Sequence, residues 1–457
     1  MSEIESSQRI VITGMGTAAP TPNGFTAEGF CNDLDTGRHG IKRIDSIIDG
    51  YEDVIEARIG GSLPQFVLKE MLEEAGFNVK EPNIHKETRS KWHRTSQAQV
   101  WTGAQALRQA GFLTSDSLRV DEKQVDPNQF GVYQGTGVAG FLELIEIQKI
   151  LDGEGKRPQV SGHDILLFLG GRPDEITSMV FNAKAFNDTM FTECAASLSS
   201  IDRAVDELRL GRADMVLAGG VEIAAHPATI AAFEKTKAIS KETNPETGPL
   251  MLYKDPDDPK IGLALGEGAG SVVLETWEHA LWRQQKLGSK VVILAEILGS
   301  GKSADAYHDT APSEDGAIRA IDQALANAGL TAEEIHDLLI EGHWTGTGGD
   351  INEFRSIIQR FKKDQLAGMS AVKVDTGHTF GAAGVLAAIA GIHSMNTNTV
   401  RGFRTMSDQN RHAETFGWPI FNGAGARKVR NVGIVMVNAF GFGGKNRVVL
   451  LGPARKI

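Results

Sequence analysis

Short runs of Val, Ile and Leu recur along this chain, separated by stretches with helical spacing. In the first half the strand candidates are RIVITG (9–14), QFGVYQG (129–135), NDTMFTE (187–193), DMVLAGG (214–220) and GSVVLE (270–275). In the second they are VVILAEI (291–297), HDLLIEGH (336–343), MSAVKVD (369–375), VGIVMVN (432–438) and NRVVLLG (446–452). Strand-like runs alternating with helical ones predict an α/β organisation. After the third run of each half the pattern turns into a helix rich in small residues, ECAASLSSIDRAVDEL in one and GHTFGAAGVLAAIAGI in the other. In the first of these, Leu198, Ile201, Val205 and Leu208 mark one buried helical face. The repeated order predicts a duplicated fold, divided at 1–280 and 281–457, with two long helices back to back. Stretches around 28–95, 145–185 and 221–265 fit neither series and are expected to form loops and a cap over the site.

The chemistry collects where strands hand over to helices. Cys194 is one of two cysteines and follows the strand-like run Thr189–Thr192. There it meets free backbone N–H groups and the positive end of a helix dipole, which lower a thiol's pKa. His378 holds the matching place in the second half, five residues after Lys373. His343 ends an apolar strand in a Gly/Thr-rich loop. Singly, each is more often a packed residue than a catalyst. Together they offer a nucleophile and hydrogen-bond donors for a carbonyl oxygen gaining negative charge.

Composition narrows the field. With 41% hydrophobic and 23% charged residues the chain reads as an ordinary globular protein, and its length favours two halves over one simple core. Two cysteines make no disulfide framework, and no CxxC or paired-histidine spacing points to a metal. No apolar run approaches about 18 residues, and MSEIESSQ lacks a signal-peptide core, so a cytoplasmic location is expected. A net charge of −11 argues against a nucleic-acid partner. Three glycine clusters imitate nucleotide loops: Gly14–Ala19, Gly135–Gly140 and Gly266–Gly270. Prolines interrupt a helix after the first, no acidic strand end follows the second, and a strand follows the third. Tight turns explain them better than a dinucleotide does.

FTECAASLSS, EGHWTGTGGD, VKVDTGHTFGAAG and NAFGFGGKN resemble the four signature segments of the elongating β-ketoacyl-acyl-carrier-protein synthases. ADAYHDTAPSEDG (304–316), LAGGVE (217–222) and GLALGEGAGSVVLE (262–275) also match, in family order. The resemblance runs from about residue 9 to 452. It implies the thiolase-like five-layer α-β-α-β-α fold, a homodimer and a Cys-His-His site. Cys194 then matches the nucleophile that carries the acyl group. His343 and His378 match the histidines serving malonyl decarboxylation, with Lys373 supporting them and Glu353 as its ion-pair partner. Asp350 closes the first histidine loop. Thr345 and Thr347 match the threonines that contact the phosphopantetheine arm. Phe442 matches the gate over the acyl pocket, in a loop with Phe440, Gly441, Gly443 and Gly444, and His308 matches a position near the site. No bound cofactor is implied, because phosphopantetheine arrives on the acyl carrier protein. The run KETRSKWHR, with Lys86, Arg89, Lys91 and Arg94, is the expected docking patch for that acidic carrier.

Four features depart from the family pattern. His343 reaches Asp350 in seven residues rather than eight, with Trp344 in place of glycine. Glu193 stands beside the nucleophile where small residues are usual, and its charge would raise the thiol's pKa. Asp309 replaces an apolar residue, and Lys445 a small polar one. Alternatives of other classes are a non-elongating, chain-length-factor-like partner subunit, a thiolase or initiating synthase, and a dinucleotide-binding oxidoreductase.

Overall fold

The computed structural model describes residues 9–78, 92–138, 140–153, 172–255, 258 and 260–453. Each of the ten strand candidates contributes to a strand: β1 Ile10–Ala18, β2 Phe130–Gly135, β3 Asn187–Met190, β4 Met215–Glu222, β5 Gly268–Thr276, β6 Ala295–Ala304, β7 Leu338–Glu341, β8 Leu366–Ser370, β9 Ile434–Gly441 and β10 Lys445–Gly452. Their order across the sheet is β8-β7-β9-β10-β6-β1-β5-β4-β2-β3. Read outward from the middle, both halves place their own strands in the sequence first, fifth, fourth, second, third. Both also run parallel among their outer three strands and antiparallel elsewhere. Within this sheet, among the described residues, the halves join where Ile10–Ile12 pair with Ala295–Ile297.

Five helices set the layers: α1 Arg94–Gln109, α2 Ala196–Arg209, α3 Glu314–Ala328, α4 Asp350–Ile358 and α5 Ala383–Thr397. The helices α2 and α5 touch each other and strands of both halves, while α1 and α3 cover the outer faces. That is the expected five-layer arrangement. Every residue from Ala383 to Ile392 is buried, as a helix apolar on all sides must be. Burying Val385, Leu386, Ile389 and Ile392 stabilises the centre by about 1.5–3 kcal/mol each.

The strands β1 and β6 extend furthest beyond their predicted runs, for one reason. A Cβ on Gly299 or Gly301 would lie 2.4 Å from Ala324 O or 2.0 Å from Ala320 O, so α3 rests directly on β6. Likewise β1 continues through the first nucleotide-like cluster, because Gly14 and Gly16 give α1 room. In the second cluster, the N–H groups of Gly137 and Val138 donate to the buried Glu222 carboxylate, where a phosphate would otherwise sit.

The starts of α2 and α5 share a backbone pattern. Each follows a 3₁₀ turn, Glu193–Ala195 or Phe380–Ala382, whose first residue is left-handed (φ 47° and 39°). The positional counterpart of Cys194 is therefore Gly381, and His378 lies three residues upstream. Gly381 must lack a side chain, since a Cβ would meet Thr136 Cα at 2.7 Å.

Candidate active site

A cavity of about 360 Å³ opens above the two turns, lined by Cys194, His343, His378, Phe380, Phe440 and Phe442. The 3₁₀ turn delivers Cys194 to it with only 6% of the residue exposed. Burial pushes the thiol up to about 12; Lys373 opposes that rise, while Glu222 and Glu193 add to it. The lowering expected from the helix end does not prevail over desolvation. The N–H groups of Cys194 and Phe442 find no backbone acceptor among the described residues.

The two imidazoles meet edge to face, with ring centroids 5.4 Å apart. His378 is fixed by its backbone: its N–H donates to Ala264 O at 2.7 Å and its carbonyl accepts from Gly266 N at 2.8 Å. Its Nδ1 accepts from Phe380 N–H at 3.3 Å, which leaves the neutral ring's proton on Nε2. His343 Nδ1 is buried without a partner among the described residues. Burial, then the charge of Lys373, holds both rings well below the ordinary histidine range. They are therefore neutral, and each can donate one hydrogen bond.

Glu353 organises the first histidine. Its carboxylate accepts from the backbone N–H of His343 (2.8 Å) and Trp344 (2.9 Å) and from Asn438 Nδ2 (2.9 Å). Among the described residues no Lys373–Glu353 ion pair falls within 4.0 Å, which corrects the expected contact; the two act on each other through space. Burial lowers Lys373 to about 8 and raises Glu353 to about 7, each charge partly offsetting the other's penalty. Asp350 closes the loop by accepting from Thr345 N (2.9 Å), Gly346 N (3.2 Å) and Leu252 N (3.1 Å), and burial lifts it to about 6.

The mouth carries Thr345, Thr347, His308 and Gly444. The two threonine hydroxyls lie 3.0 Å apart. His308 is exposed, its Nδ1 accepting from Thr310 and Ala311 N–H. Gly443 turns away from the lining, and its N–H donates to Asp309 O at 2.7 Å. Trp344 is fully buried, packs on Phe403 and points away from the cavity, so the glycine-to-tryptophan change fills the core instead. Cys31 is buried in the central core, outside this lining.

Of the expected docking residues, Lys86, Arg89 and Lys91 lie outside the described residues. Arg94 is committed internally. It donates to Leu63 O (3.0 Å) and Pro64 O (3.2 Å), lies 3.6 Å from Glu267 and sits over the Phe66 ring. Three contributors went unnoticed in the sequence. Asn438, a polar residue inside the apolar run VGIVMVN, carried a usable signal. Glu222 sat within a matching segment, unassigned. Phe233 carried none, and its ring stacks on Phe442 at 6.0 Å and lies tilted against Phe380 at 5.0 Å.

Comparison with known proteins agrees with this geometry. Residues 7–280 match the family described as beta-ketoacyl synthase, N-terminal domain, and residues 294–406 its C-terminal domain. A 3-oxoacyl-acyl-carrier-protein synthase 2 from Vibrio cholerae is 32% identical, over 96% of this chain and 98% of the relative. The chloroplastic 3-oxoacyl-acyl-carrier-protein synthase I of Hordeum vulgare is 30% identical, over 99% of this chain and 90% of the relative. A beta-ketoacyl synthase structure from Burkholderia phymatum superimposes with a TM-score of 0.81 at 28% identity, covering 98% of this chain and all of that one. The ishigamide ketosynthase/chain length factor gives 0.80 at 26% identity, covering 98% and 99%.

Proposed function

The chain belongs to the β-ketoacyl synthase family and is a condensing acyltransferase, and from that premise we propose that Cys194, His343, His378 and Lys373 carry its reaction. The observation that carries this is the single cavity into which a buried thiol and two neutral imidazoles converge.

In the first half-reaction the Cys194 sulfur attacks an acyl thioester on the carrier, and the acyl–sulfur bond to the carrier breaks. With the thiol held up by burial, its proton leaves during attack and ends on the departing carrier thiol. The N–H groups of Cys194 and Phe442, which have no backbone acceptor among the described residues, donate to the tetrahedral oxygen. In the second half-reaction malonyl-carrier enters, carbon dioxide leaves, and His343 and His378 donate to the enolate oxygen. The enolate carbon attacks the acyl-cysteine, the carbon–sulfur bond to Cys194 breaks, the departing thiolate takes up a proton from solvent, and the product is longer by two carbons. No bound cofactor is required. The phosphopantetheine arm reaches in on the carrier past Thr345 and Thr347, whose hydroxyls stand at the mouth.

Carrier docking falls to Lys86, Arg89 and Lys91, because Arg94 is already engaged. A homodimer suits the strand β3, which has no partner on its outer edge among the described residues. Phe191 just beyond it is 49% exposed, and Met179, on the helix packed against it, is 45% exposed. A cytoplasmic setting suits two free cysteines, and no helix among the described residues is long and apolar enough to cross a membrane. Division of the chain at 280 into a Cys-bearing and a His-bearing half belongs to the same proposal. The partner-subunit alternative is disfavoured by the presence of the thiol.

The test is mass spectrometry after incubation with an acyl-carrier. An acyl adduct should appear on Cys194 and be absent in Cys194→Ala, which should retain the wild-type fold because little volume is lost. Condensation by Cys194→Ala at the wild-type rate would overturn the mechanism.

A further inference from the structure

Two departures from the family pattern face each other in space. The Lys445 ammonium donates to both carboxylate oxygens of Glu193, at 2.7 and 2.5 Å. Glu193 immediately precedes the nucleophile. Lys445 opens β10 and pairs across the ladder with Gly441, the last residue of β9. Between them runs the hairpin tip Phe442-Gly443-Gly444. The stem is pressed against the nucleophile turn: a Cβ on Gly441 would lie 2.9 Å from Thr192 O and 3.5 Å from Glu193 Cβ. The tip itself can rearrange, because Gly443 and Gly444 are both left-handed (φ 71° and 73°) and carry no side chains. On its far side Gly443 N–H donates to Asp309 O at 2.7 Å, and Asp305 N–H to Gly444 O at 2.9 Å. Phe442 thus covers the cavity beside Cys194, with its ring against Phe233.

We infer that the Glu193–Lys445 ion pair determines acyl specificity, as a latch that positions the Phe442 tip over Cys194 and selects against chains too long to fit beneath it. This rests on reading Cys194 as the acyl-bearing group. Among the described residues, the ion pair alone joins the tip and its stem to the nucleophile turn by charge. Both side chains are about one-third exposed, so salt can reach the pair. The pair also bears on the acidic residue beside the nucleophile: Glu193 still raises the Cys194 thiol, and Lys445, bound to its carboxylate, opposes that charge. Glu193 adopts the left-handed backbone at a cost any non-glycine residue bears, which the ion pair helps to offset.

Two reagents attacking the same sulfur isolate the latch from the reactivity of the thiol. Iodoacetamide is small; N-dodecyl iodoacetamide must displace Phe442. The ratio of their rates at Cys194, read by peptide mass spectrometry, cancels any change in thiolate content. In Lys445→Thr, and in the isosteric Glu193→Gln should that variant fold poorly, the ratio should shift toward the long reagent by about 1.5- to fivefold, the range for a part-exposed pair. The reversed pair, Glu193→Lys with Lys445→Glu, should restore it. Added salt should move the wild-type ratio in the same direction and leave Lys445→Thr unmoved. An unchanged ratio in the single variants, or a reversed pair that fails to restore it, overturns the latch. Acyl transfer by the wild type with a fixed ratio would remove the latch and keep the proposed reaction. A moving ratio in a protein that accepts no acyl group would do the opposite.

Discussion

Alkylation of Cys194 should show no thiolate plateau below about pH 10. The rise from 9.0 to about 12 sets about 4 kcal/mol against the thiolate, at about 1.36 kcal/mol per pH unit. A helix N-terminus returns at most ~2 kcal/mol even in partly buried geometry. Burial therefore wins, and the effective value stays above that of a free thiol. The measurement is the iodoacetamide rate at Cys194 from about pH 6 to 10.5, by peptide mass spectrometry, with buried Cys31 as an internal control, its thiol likewise pushed up to about 12. The logarithm of the rate should climb with a slope near one and not level off until above about pH 10. Lys373→Met should lower it further, because the Lys373 charge is the largest of the influences favouring the thiolate. Levelling below about pH 8 would show that the backbone dipoles outweigh desolvation, and the account of a proton lost during attack would be wrong.

His343→Ala and His378→Ala should each lose carbon dioxide release by 10²-fold or more, on the order of one missing donor to a developing oxyanion, while burst-phase acylation falls far less; equal loss of both steps would show the roles misassigned. Carbon dioxide release should also decline as pH rises through about 8, where Lys373 gives up its proton, and a Lys373→Met enzyme should lack that limb. Lys86→Glu with Arg89→Glu should raise the KM for carrier-bound substrate and flatten its salt dependence, with little effect on a small pantetheine thioester. Arg94→Glu should instead lower Tm by a few degrees, because it places a carboxylate beside Glu267.

Fold and site were legible to different depths. Nine of the ten strand candidates carry Val, Ile or Leu, as strands buried on both faces do, whereas β3 at the sheet edge is exposed to part-buried and carries none. Their ends were hidden wherever a helix lies on the strand, as at Gly14, Gly16, Gly299 and Gly301, where the absence of a side chain is the structural signal. Cys194 and His343 were legible because each closely follows a strand, and His378 because it precedes the small-residue helix of the second half, although a short helix, Lys373–Thr376, separates it from β8; the cavity gathers all three. The equivalence of Cys194 and His378 was off by three residues, since the matched feature is a left-handed backbone at Glu193 and Phe380, which no composition announces. Direct contact between Lys373 and Glu353 was invisible either way: sequence pairs charges by type, whereas three N–H donors had already claimed the carboxylate. Trp344 illustrates the reverse, a conspicuous change beside a catalytic group whose side chain points into the core.

The same burial explains why two neutral histidines suit this chemistry better than charged ones would. A cationic imidazole in a dry cavity would grip the malonyl carboxylate, which is the group that must leave, and would stabilise the ground state most. A neutral Nε2–H binds a carboxylate weakly and an enolate oxygen more strongly as charge moves onto it during loss of carbon dioxide. Lys373, itself pulled down to about 8, supplies the positive charge from a neighbouring position and helps keep both rings unprotonated. Glu353 sits opposite, near enough to hold the lysine charged at neutral pH and anchored by backbone donors that keep it from closing the pair. One charge, offset at a distance and surrounded by neutral donors, leaves the strongest interaction in the cavity for the transition state.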